Sequence, residues 1–116
     1  MDITITVEKE PNCSIVHVAG KIDATTSDDL EDSLMELLEQ GEKNIFLDLK
    51  ETHYLSSAGL RVLIVITKQV YDSGHFCICN ASDNVNEIIE MAGFNVFINI
   101  YDDVLSAKEK IAEDLS

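Results

Sequence analysis

With 116 residues, 46% of them hydrophobic, the chain has the size of one domain covering 1–116 and enough apolar side chains for a real core. Its 22 acidic residues against 8 basic ones give a formal charge of −14, which opposes nucleic-acid phosphates and anionic membrane surfaces and argues against direct nucleic-acid binding. The longest apolar run, residues 62–66, is far too short for membrane insertion, and the opening Met1-Asp2-Ile3-Thr4 lacks the basic start and apolar core of a signal peptide, so a cytoplasmic domain is expected.

Ile3, Ile5 and Val7 alternate with Thr4 and Thr6, the period of a half-buried strand, and Pro11-Asn12 supplies a turn. Ile15, Val16, Val18 and Ala19 follow as a second strand ending at Gly20, so the chain is expected to open with an antiparallel pair. After Ile22-Asp23, the stretch Thr25-Thr26-Ser27-Asp28-Asp29 reads as a helix start, with capping hydroxyls and acids in the first turn. Leu30, Leu34, Leu37 and Leu38 then mark one helical face, and Gly41 is placed as the stop.

A short apolar strand over residues 45–49 comes next, with Asp48 where it is expected to reach water. It leads through Leu55-Ser56-Ser57-Ala58-Gly59 into a helix ending near Tyr71 and closed by Asp72-Ser73-Gly74. Phe76-Cys77-Ile78-Cys79 reads as a further strand. Ser82 or Asp83 can cap a short helix carrying Val85, Ile88, Ile89 and Met91, which Gly93 stops. Val96-Phe97-Ile98 is expected to be the last strand. Asp102 or Asp103 opens a final helix with Val104, Leu105, Lys108, Ile111 and Ala112, expected to fray from Glu113. Strands alternating with helices after an initial hairpin predict an α/β sandwich: a mixed sheet, its later strands parallel, with about four helices.

The helix after the serines carries two apolar stripes. Leu60, Leu63, Ile64 and Tyr71 fall on one face, with Thr67 the polar residue in that row, and Val62, Val65 and Ile66 form another. The second stripe is either core on a doubly buried helix or a partly exposed patch of the kind that marks a protein interface. Ser57 has two readings as well. Its hydroxyl can cap the orphan amides of the first turn, and the same unpaired N–H groups and positive dipole suit a phosphate on it.

Leu55-Ser56-Ser57-Ala58-Gly59-Leu60, preceded by Asp48-Leu49 and joined to Gly20-Lys21-Ile22-Asp23 upstream, resembles the STAS domains of bacterial anti-sigma factor antagonists. The resemblance runs over nearly the whole chain. It implies a non-enzymatic, partner-switching regulator of transcription, phosphorylated on Ser57 by an anti-sigma factor serine kinase and reset by a PP2C-type phosphatase. Unmodified Ser57 would allow capture of the anti-sigma factor and release of its sigma factor; the phosphate would block capture. Many members carry Asp where this chain has Ser56, a departure that makes Ser56 a second, lesser candidate for modification beside Ser57. The implied partner-binding set is Asp23, Thr25, Ser56, Ser57, Ala58, Gly59, Arg61, Val62, Val65 and Ile66. Asp23 also has a simpler reading as a turn or capping carboxylate.

Other chemistries fit poorly. A serine hydrolase elbow needs Gly-x-Ser-x-Gly and a placed histidine, and Ser56-Ser57-Ala58-Gly59 lacks the first glycine. His75-x-Cys77-x-Cys79 sets three side chains too linearly for a tetrahedral metal site, so no metal and no cofactor is expected, and Cys13, Cys77 and Cys79 read as buried thiols. A receiver-type phosphoswitch could use Asp48, but the first strand is not followed by the acidic pair that Mg²⁺ requires. A STAS domain without phosphorylation, serving a transporter or a larger signalling assembly, is the remaining alternative.

Overall fold

The computed structural model describes residues 3–115; Met1, Asp2 and Ser116, which the expected single domain also includes, lie outside the described residues. The elements run β1 (Thr4–Lys9), β2 (Ser14–Ile22), α1 (Ser27–Glu39), β3 (Asn44–Leu55), α2 (Ser57–Val70), β4 (His75–Cys79), α3 (Asp83–Met91), a 3₁₀ turn at Phe94–Val96, β5 (Asn99–Tyr101) and α4 (Val104–Leu115). The five strands lie side by side in chain order, β1 antiparallel to β2 and every later pair parallel. This is the mixed sheet with four helices that the sequence pattern predicts.

Strand alternation explains the two layers. Val16, Val18, Ile45, Leu47, Leu49, Phe76 and Ile78 point to one side, where they pack with leucines of α1, with α2 and with Val85 and Ile89 of α3. Ile15, Phe46, Cys77 and Cys79 point to the other side and meet Ala107 and Ile111 of α4. Central strands buried on both faces read as continuous apolar runs, which is why β3 and β4 are so plain in the sequence. Three successive β–α–β crossovers of one hand, advancing one strand each, place α1, α2 and α3 on the same face. Gly41 stops α1 as expected, its φ of +91° being the left-handed conformation that favours glycine after a helix.

Three strand expectations are corrected. β2 does not end at Gly20 but runs on to Ile22, which pairs with Leu55 of β3. β3 does not stop at Leu49; it continues to Leu55, so Asp48 lies in mid-strand and is buried. β4 reaches only as far as the Asp48↔Cys79 pair, so residues 49–55 are paired with β2 alone and the polar Lys50, Glu51, His53 and Tyr54 are exposed. The last strand is Asn99–Tyr101, not Val96-Phe97-Ile98. Val96 and Phe97 point outward at 80% and 65% exposure, while Ile98 is buried just ahead of the strand. The helix expected to fray from Glu113 runs on to Leu115.

Candidate functional site

The turn between β3 and α2 is built by backbone hydrogen bonds. Ser56 N–H donates to the carbonyl of Ile22 at 2.8 Å, fastening the end of β3 to the end of β2. Ser56, in extended conformation, is the N-cap of α2: its hydroxyl accepts the Gly59 N–H at 3.2 Å and its carbonyl accepts the Leu60 N–H at 2.9 Å. The capping role considered for Ser57 therefore belongs to Ser56. Ser57 is the first residue of the helix and is exposed, with its hydroxyl free of any cap duty.

Asp23 follows Ile22 directly, so the Ser56–Ile22 bond brings it beside the serine turn. Its Oδ1 accepts the N–H groups of Thr25 and Thr26, at 2.9 and 3.0 Å, and the Thr26 hydroxyl lies at 3.2 Å. Thr26 donates that hydroxyl to the Lys21 carbonyl at 2.7 Å and accepts the Asp23 N–H. Thr26, the residue before α1, thus makes no side-chain cap; the carboxylate of Asp23 organises the turn instead. The Thr26 backbone N–H is the main reason that Asp23 titrates below the usual carboxylate range; burial works against it, and the Thr25 N–H and Thr26 hydroxyl add to the lowering. Thr25 is exposed on the outer side of this turn.

Gly59 is buried where α2 first touches the sheet. A Cβ there would stand 2.6 Å from Leu55 Cδ1 and 2.7 Å from Ile22 Cγ2, closer than carbon atoms approach, so the absence of a side chain sets how near the helix start lies to the ends of β2 and β3. That contact also fixes the rotation of α2. Gly59, Val62, Leu63, Ile66 and Val70 form the buried stripe, and Tyr71 is 81% exposed. Val62 and Ile66, expected at the partner surface, are 1% and 0% exposed and belong to the core. Of the apolar residues assigned to that surface, Val65 and Ala58 are half-buried and reach it. Arg61 is exposed and pairs with Glu31 of α1 at 3.2 Å.

Asp23, Thr25, Ser57 and Ala58 thus share one end of the domain with the cap Ser56, and Arg61 and Val65 follow about one and two turns further along α2. Asp48 does not join them. Seven residues of strand, on the order of 23 Å, separate it from Leu55, and its carboxylate is engaged elsewhere, with His17 and Asn80. The Ser56 cap escaped the sequence reading; the inward turn of Val62 was one of its two alternatives, and counting Gly59 as part of the stripe favours it over the partner surface that the resemblance implies.

His75, Cys77 and Cys79 do not converge: His75 Nδ1 lies 3.0 Å from Asn44 Oδ1, while both thiols are buried beneath α4. All three cysteines are buried and unbridged. The contact with Cys79, together with burial, pushes the Cys77 thiol far up. Among the described residues no helix is long and apolar enough to cross a membrane.

Comparison with known proteins agrees with this architecture. The STAS domain profile matches residues 4–107. A candidate anti-sigma factor antagonist of Bordetella bronchiseptica, BtrV, is 32% identical over 78% of each chain. The anti-sigma-B factor antagonist of Bacillus subtilis is 30% identical over 86% of this chain and 92% of its own. Among solved structures, the anti-sigma factor antagonist SpoIIAA in its unphosphorylated form superposes with a TM-score of 0.80 at 12% identity, covering 95% of this chain and 97% of that one. Its phosphorylated form, described as a Bacillus cell fate determinant, gives 0.70 at 11%, over 91% and 98%.

Proposed function

Because the chain belongs to the STAS domain family, we propose that it is an anti-sigma factor antagonist whose capture of its partner is switched by phosphate on Ser57. The observation that carries the reading is the division of labour at the start of α2: Ser56 takes the cap, and Ser57 stands exposed on the first turn. A phosphate at Ser57 brings about −1.5 to −2 charges to the positive end of a helix, where the fold tolerates it. Arg61, four residues on along the same face, can pair with it. A partner surface closing over Ala58 and Val65 must instead desolvate that charge, and so is repelled. The switch therefore acts on binding and leaves folding intact.

In the cell the reading assigns Ser57 to an anti-sigma factor serine kinase that is also the partner, a PP2C-type phosphatase to the reset, and the cytoplasm to the whole cycle. The domain itself does no chemistry. The names of the relatives and the phosphorylated form of SpoIIAA support it. Calorimetric titration of the cognate anti-sigma factor with Ser57→Ala and Ser57→Asp tests it. The alanine variant should bind like the unmodified chain, and the aspartate variant at least tenfold more weakly, about 1.4 kcal/mol. Equal affinities would sink the switch. Mass-spectrometric mapping from the native cell adds the site: phosphate on Ser56 alone would move it by one residue.

A further inference from the structure

A second polar cluster occupies the face of the sheet opposite α2, away from Ser57. Thr6, His17, Asp48 and Cys79 are successive cross-strand partners on β1, β2, β3 and β4. α4 packs over Ile15, Phe46, Cys77 and Cys79 and leaves His17 half-buried. Asp48 Oδ1 accepts the Lys50 N–H and one Asn80 amide hydrogen, each at 3.0 Å. Asn80 holds its amide there from a φ of 59°, the only positive φ at a non-glycine among the described residues. Asp48 Oδ2 lies 2.7 Å from His17 Nδ1, and the other ring nitrogen, Nε2, lies 3.1 Å from Glu8 Oε1.

A neutral imidazole offers one N–H and one lone pair, whereas an ionised carboxylate only accepts. A ring with a carboxylate oxygen at each nitrogen is satisfied when it carries both protons. We infer that Glu8, His17 and Asp48 form a proton-operated latch on the N-terminal hairpin, closed around the imidazolium and opened at its Glu8 end when the ring loses one proton. The Asp48 contact is the shorter one, and the Asp48 side chain is 11% exposed against 54% for Glu8. The proton therefore leaves Nε2. The ring keeps its Nδ1–H on Asp48 and turns a lone pair toward Glu8, which moves into water and loosens the edge strand β1.

The surrounding charges favour the closed form. Burial opposes the imidazolium, but the hydrogen bonds and negative charges of Glu8 and Asp48 outweigh it and hold His17 above the ordinary imidazole value. Burial likewise works against ionised Asp48, and Asn80, the Lys50 N–H and His17 overcome it, so that carboxylate is held low. Lys50 and Glu51 of β3 border the same hollow. Lys108 of α4 is engaged with Glu10 at 2.7 Å, leaving Glu8 and Asp48 as the charges in contact with the ring. A histidine raised on folding stabilises fully below its unfolded value of about 6.5 and loses that contribution as pH rises through the folded value.

Ring-nitrogen NMR of the full chain between pH 5 and 9, with amide protection factors for β1, tests the latch. The expected result is a His17 midpoint above about 6.5, a Nδ1–H tautomer beyond it, and β1 protection that falls across the same transition. Glu8→Gln should lower the midpoint, and His17→Gln should remove the pH step in β1 protection. A midpoint at or below the ordinary value, a Nε2–H tautomer, or β1 protection equal on both sides of the transition would overturn it.

Discussion

Ser56 and Ser57 are chemically identical neighbours, and the helix start gives them different tasks. Removing the Ser56 hydroxyl strands the Gly59 N–H, so Ser56→Ala should cost about 0.5–2 kcal/mol in denaturant unfolding. Ser57→Ala, at an exposed position with no cap bond, should stay within about 0.5 kcal/mol of the parent chain. The pair of measurements separates the serine that the helix start needs from the one it does not, without any partner present. Gly59→Ala should be worse than either single hydroxyl loss predicts from size alone, because its methyl group meets Leu55 and Ile22; a cost of about 1–3 kcal/mol is expected in the same assay. Asp23 shows the converse economy: one carboxylate oxygen orders the turn that presents Thr25, so its turn-shaping role and its place at the surface come from the same bonds.

At the scale of elements, α2 separates what a sequence reveals from what it hides. Periodicity alone allows two stripes, one through Leu60, Leu63, Ile64 and Tyr71 and the other through Val62, Val65 and Ile66. The buried face cuts across both, taking Leu60 and Leu63 from the first and Val62 and Ile66 from the second, because it starts at Gly59, a residue with no side chain to register on any hydrophobic scale. Ile66→Ala should therefore cost about 2–5 kcal/mol of stability, read by denaturation. Val65→Ala should weaken partner binding with a smaller stability loss, since Val65 is half-buried. The hairpin, α1 and α3 are legible because turn residues and apolar period agree there, and at α3 the Ser82 cap agrees as well, whereas the hydroxyls ahead of α1 make no cap. β3 was shortened in the reading because its last seven residues have a neighbouring strand on one side only, and a strand with one open edge carries the polar residues of a loop. β5 was misplaced for a related reason: three residues at the sheet edge carry less apolar signal than the exposed Val96 and Phe97 ahead of them.

For the molecule as a whole, the charge of −14 sets the terms of encounter. An acidic domain meets a basic partner surface faster than diffusion of neutral bodies allows, and salt removes that advantage before it touches the packed contacts. Stopped-flow association with the anti-sigma factor should slow about tenfold or more between low and high salt while dissociation changes little; a salt-independent association rate would mean that charge plays no part in the encounter.

The strand order has a consequence for how the chain comes into being. Each strand lies beside the strand made just before it, so every addition to the sheet docks onto structure already present. Every residue assigned to the Ser57 surface, from Asp23 to Val65, precedes β4 in the chain and so emerges from the ribosome ahead of it. During synthesis, at roughly 5–20 residues per second, the serine turn can be tied to Ile22 before β4 and the elements after it have emerged. The nascent chain then carries the Ser57 end of the domain for a time on the order of seconds with the far edge of its sheet still open.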